Sequence, residues 1–111
     1  MAKKILIGVG ALLLIMIVFL PELSRLAAIQ AFSHKEAGWS QPLAKNAAML
    51  NMRFWRYGGA GGIYKRSIEL WPAADWIGDA HYNLALCYEK AKMTKDAVAA
   101  YDVFMARYPQ H

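Results

Sequence analysis

The chain predicts an all-α protein, with one N-terminal transmembrane helix followed by antiparallel helical hairpins. Three observations predict it. Ile5 to Leu20 is an uncharged run of 16 residues drawn from Ile, Leu, Val, Met, Phe, Gly and Ala. Beyond residue 40 the apolar residues recur at helical rather than strand spacing. Gly- and Pro-rich breaks at Gly38 to Pro42, Gly58 to Gly62 and Pro72 then cut that remainder into helix-sized pieces.

The first piece, residues 1–21, has the composition of a membrane anchor. Lys3 and Lys4 precede the apolar run, which extends from Ile5 through Leu12 to Phe19 and Leu20. At about 1.5 Å per residue the run spans roughly 24 Å, a little under the ~30 Å hydrocarbon core. Snorkelling lysines and continuation of the helix past Pro21 would close the gap. A cleavable signal peptide shares the charged start and apolar middle. The residues after the run offer no good small-x-small cleavage site and no lipobox cysteine, which favours an uncleaved anchor. Basic residues close to the run favour an N-terminus on the cytoplasmic side of the inner membrane, with the remaining domain periplasmic or exterior.

Residues 22–38 read as an interfacial helix or linker. Leu23, Leu26, Ile29 and Phe32 make the stretch too apolar to be free in solvent, and Pro21 suits a first turn or a kink. Residues 39–111 form the helical domain. Pro42 to Tyr57 predicts one helix, with Ser40 as a cap. Gly58 and Gly59 are expected in the turn that follows, and the next glycines in a close helix contact. A second pair runs from Ala80 to Ala91 and from Lys95 to Tyr108, with Thr94 as the N-cap of the latter and Pro109 as its stop.

Formal charge is +5, of which Lys3 and Lys4 supply two, leaving 11 basic against 8 acidic residues. That balance is too mild for a nucleic-acid surface. The lone Cys87 excludes an internal disulfide. His34, His81 and His111 share no metal-ligand spacing, and no haem-attachment or zinc motif occurs. The glycine cluster lacks the Lys-Ser/Thr ending and preceding strand of a phosphate loop. We therefore expect no catalytic residues, cofactor or metal, and a binding function instead of an enzyme.

The downstream pair carries a motif. His81-x2-Leu84-Ala85-x2-Tyr88, then Ala97-x3-Tyr101, then Pro109 resembles the tetratricopeptide repeat, whose consensus is Trp-x2-Leu-Gly-x2-Tyr, Ala-x3-Phe and Pro over 34 residues. The ending Phe104 to Pro109 is most similar to repeats of bacterial cell-envelope proteins. The same offsets of 12, 4 and 8 residues recur upstream at Ala48, Ala60, Tyr64 and Pro72. The two copies stand 37 residues apart, three beyond the usual period, and the surplus fits between Pro72 and the next helix.

The resemblance implies about two stacked hairpins serving as a protein-protein interaction scaffold. Three or more repeats are usually needed for independent stability, and we expect the last hairpin to have no capping helix after Pro109. The exposed side of the last hairpin is therefore expected to meet a partner. Trp39, His81, Val98, Phe104, Met105 and Tyr108 are the candidate partner-binding residues. The expected partners are other proteins of a larger membrane complex, respiratory, photosynthetic or secretory, of which this chain would be an accessory subunit. The alternative is a self-assembling filament subunit with a buried N-terminal helix. That resemblance to pilin-like proteins is weakened by Lys3 and Lys4 and by the lack of an early acidic residue in the apolar run.

Overall fold

The computed structural model describes residues 2–111, and over them the chain is helical without strands. The helices are α1 (Ala2–Ser33), α2 (Ser40–Arg53), α3 (Tyr57–Leu70), α4 (Ile77–Lys90) and α5 (Thr94–Arg107). Each packs on the next in chain order, and α1 also touches α3.

The apolar run and the stretch after it form one unbroken helix of 32 residues through Pro21. Proline removes one backbone donor. The Ser24 hydroxyl donates to the Pro21 carbonyl at 2.7 Å, and the Pro21 ring is fully buried. Packing from outside the helix holds the proline in place. The interfacial helix or linker expected over residues 22–38 is mainly the second half of α1, which continues through Pro21, ends at Ser33 and is followed by a short turn.

The two halves of α1 have opposite environments. Every described residue up to Phe19 is exposed, whereas Pro21, Ala28 and Ala31 are buried. Two bonds show that α2 runs antiparallel to the second half. Asn51 Nδ2 donates to Ser24 Oγ at 2.8 Å, and the Ser40 hydroxyl donates to the His34 carbonyl. Phe32 stacks at a tilt on Trp71, 6.0 Å between centroids, while Trp71 Nε1 donates to the Lys35 carbonyl at 3.0 Å. The second half of α1 therefore fills the place of a helix preceding α2 in the stack.

The remaining helices repeat with a 37-residue offset. Each of α2 to α5 has 14 residues, α4 starts 37 after α2, and α5 starts 37 after α3. The turns repeat too. Trp55 at φ 60° and Lys92 at φ 65° are the non-glycine residues with positive φ. Each stands one residue before the N-cap of the second helix of its pair. Trp71 (φ −129°, ψ 58°) and Tyr108 (φ −132°, ψ 61°) close the two units alike.

Three local expectations need correction. The α2–α3 turn is Phe54-Trp55-Arg56, and Gly58 and Gly59 lie in the first turn of α3. The αL residue of the turn is Trp55, two positions before the N-terminus of α3, where the second unit uses Lys92. Thr94 is the first residue of α5, and its predecessor Met93 occupies the cap with no side-chain bond. Ser40 likewise starts α2 and bonds back toward α1 instead of capping its own helix.

The core is built mainly from alanine. Ala28, Ala31, Ala44, Ala47, Ala48, Ala60 and Ala80 are buried with Ile63, Tyr64, Trp71, Trp76 and Ile77. Small residues bring helix axes together and the large aromatics fill the gaps beside them. At Gly61 a Cβ would stand 3.4 Å from Cys87 Cβ, so α3 and α4 meet closely there. That contact matches the role expected for the later glycines.

Candidate binding surfaces

The first surface is a groove along α2 and α4. Two adjoining cavities of about 930 Å³ and 400 Å³ share Lys45, Met49 and Trp76. Gln41, Lys45 and Met49 line it at four-residue spacing from α2, and Asp79, Ala80 and Asn83 line it from α4. Trp76 forms part of the floor. Its Nε1 donates to Gln41 Oε1 at 2.9 Å, and its ring lies 6.2 Å from Trp71. Asn83 Nδ2 donates to the buried Tyr64 hydroxyl at 3.3 Å, and burial pushes that phenol up to about 12. The rim carries both signs of charge, Lys35 and Lys45 with Glu36 and Asp75. A ridge of aromatics with polar edge groups suits an extended peptide of mixed character better than a single strongly charged ligand. Sequence reasoning missed this groove, because its lining comes from two helices 37 residues apart.

The second surface is the outer side of α5. Val98 and Met105 are 56% and 57% exposed, and Val103 is exposed beside them. Phe104 and Tyr108 are only half available. Phe104 packs on Tyr82 at 5.6 Å, on Tyr108 at 5.9 Å and edge-on to His111 at 5.3 Å.

His81 is not a surface residue. It is buried at 7% exposure, its ring lies 5.6 Å from Tyr108, and its Nε2 has no hydrogen-bond partner. Burial, with Arg107 as a smaller contribution, lowers its pKa. The ring occupies the large-aromatic position of the motif, as a packing residue. Trp39 is half exposed and leans on His34 at 5.5 Å. It sits at the end of α2 far from the apolar half of α1.

The repeat-packing residues separate into two groups. Ala48, Ala60, Tyr64, Ala85 and Ala97 are buried, and Leu84 packs partly buried against the core. Tyr88 and Tyr101 are half-exposed, and Pro72 and Pro109 are exposed at the unit ends. Tyr101 donates to Glu89 at 2.6 Å, a bond to a carboxylate that pushes its phenol up to about 12.

Residues 79–111 match the tetratricopeptide repeat family model. The α4–α5 hairpin is thus similar to a tetratricopeptide repeat. The match covers the second unit, and the α2–α3 hairpin repeats its backbone at the 37-residue offset. No curated protein and no solved structure matches the chain.

The third surface is the apolar half of α1. Lys3, Lys4, Ile5, Leu12 and Phe19 are all exposed, and Leu20 is half-buried where α2 begins to cover the helix. The helix is long and apolar enough to cross a membrane.

Proposed function

We propose that this protein is a membrane-anchored tetratricopeptide scaffold, an accessory subunit of a larger bacterial envelope complex, and not an enzyme. The first half of α1 crosses the inner membrane with the N-terminus cytoplasmic, and the repeat domain stands on the periplasmic or outer side. The observation that carries this reading is the continuity of α1. One helix has a fully exposed apolar half and a half built into the repeat stack, so the groove is held at a fixed place relative to the bilayer. A scaffold gains from that rigidity, because a partner segment is presented at one height above the membrane.

The test is extraction of the full-length protein in mild detergent, size separation and identification of comigrating chains. The expected result is stoichiometric association with other membrane proteins, reduced by Met49→Glu in the groove or Met105→Glu on α5. A homopolymer free of other chains would overturn the scaffold reading in favour of self-assembly. Association indifferent to both substitutions would remove the two surfaces from the proposal.

A further inference from the structure

The α2–α3 turn stands apart from the three surfaces described above. It places Arg53, Phe54, Trp55 and Arg56 together, and Trp55 is 71% exposed, as exposed as any large hydrophobic residue in the apolar half of α1. The turn thus holds an indole out among two basic side chains, an apolar ring flanked by positive charge. Arg53 and Arg56 are exposed, and neither takes part in the ion pairs among the described residues, which are Arg25–Glu22, Arg66–Glu69 and His111–Asp79.

The packing of α2 on α1 fixes the height of this turn. Asn51 stands opposite Ser24, and the two helices run antiparallel. Three residues further along α2, Phe54 therefore stands at the level of Leu20 and Pro21, where the exposed apolar run of α1 ends. An apolar groove of about 330 Å³ starts at that level and runs away from the apolar run, between Leu20, Leu23 and Ala27 on α1 and Leu43, Ala47 and Leu50 on α2. Arg53 is one turn beyond Leu50 on the same row of α2. Trp39 is at the other end of α2, about 18 Å farther from the membrane than Asn51.

We propose that this turn is a second membrane contact, with Trp55 seated in the headgroup layer and Arg53 and Arg56 binding the phosphates of anionic phospholipids. The inference rests on the reading of α1 as a membrane anchor. Indole rings partition to the level of the headgroups because one edge is apolar and the N–H is polar. Arginine forms paired bonds to phosphate and is weakly hydrated. With two contacts, the repeat domain is held in tilt as well as in height.

The test uses the full-length protein in nanodiscs of mixed phosphatidylglycerol and phosphatidylcholine, spin-labelled at Leu12→Cys, Trp39→Cys or Trp55→Cys. Cys87 is buried and its thiol is pushed up to about 11, so the label goes to the introduced cysteine. Collision with oxygen and with a water-soluble nickel chelate reports depth. The expected order is position 12 in hydrocarbon, position 55 at the headgroups and position 39 in water. Position 55 as water-exposed as position 39, with position 12 still in hydrocarbon, overturns the second contact and leaves the anchor standing. Position 12 in water overturns the anchor itself. Arg53→Gln with Arg56→Gln is expected to lower the preference of the protein for phosphatidylglycerol over phosphatidylcholine, in competition between spin-labelled lipids, by about fivefold per arginine. An unchanged preference overturns the assignment to anionic headgroups.

Discussion

Replacing Asn51 by alanine removes the polar pin between α1 and α2. The Asn51 side chain is 2% exposed. Its Nδ2 donates to Ser24 Oγ and to the Ala47 carbonyl, both at 2.8 Å. Each bond is worth about 1 kcal/mol net, and the vacated amide volume adds a smaller packing loss. We expect Asn51→Ala to cost roughly 2–3 kcal/mol, which for a unit of this size lowers the midpoint of thermal unfolding by about 10 °C or more. Ser24→Ala should cost about 2 kcal/mol, since it loses the shared bond and its own donation to the Pro21 carbonyl. Circular dichroism of both single variants and the double variant in mild detergent closes a mutant cycle. A coupling of about 1 kcal/mol is expected for residues in one network. Amide exchange should quicken over residues 21–33 before it does in α5, because the loss is confined to the α1–α2 contact. Additive effects, with a coupling under about 0.3 kcal/mol, would refute the claim that this pair joins α1 to α2.

Other outcomes follow from single positions. Gly62 has open space around its missing Cβ, whereas a Cβ at Gly59 would stand 2.9 Å from Asn51 Oδ1. Gly62→Ala should therefore raise stability by up to about 1 kcal/mol, and Gly59→Ala should give no gain or a loss, compared by denaturant midpoints. His81→Phe should raise stability by about 1 kcal/mol, because it removes a buried nitrogen without a partner while keeping an aromatic against Tyr108. The folded pKa of His81 is lowered, so the unfolded chain binds the proton more readily. Its contribution is present above the unfolded value of about 6.5 and is lost as pH falls below it. The phenylalanine variant should show a shallower fall of unfolding midpoint on acidification through that range. Native protein should resist thiol reagents at pH 7 and react on unfolding, since Cys87 is buried. Fast labelling without unfolding would contradict the α3–α4 packing.

The division between sequence and structure is clearest in particular elements. Lys3-Lys4 and the uncharged run identify a membrane-length helix from composition alone, because transfer into lipid depends on the side chains and little on context. The second repeat is legible because Ala85, Ala97, Tyr101 and Pro109 sit on contacts local to one hairpin. Its upstream copy shows in the same offsets despite changed residues, since the backbone offset of 37 is preserved and the side chains are not. Turn chemistry was the weakest reading. Gly58 and Gly59 suggest the turn, yet it falls on Phe54-Trp55-Arg56, because the α2–α3 packing outweighs the local freedom of glycine, and Lys92 takes the same backbone conformation in the second unit. Only the tertiary structure made α1 one body with the repeats. The burial of Pro21, Ala28 and Ala31 and the Asn51–Ser24 bond join residues that no periodicity connects. It also assembled the groove from α2 and α4 and brought Trp55 level with Leu20. Both depend on how helices distant in the chain are aligned, and pair contacts set that alignment where helical spacing alone cannot.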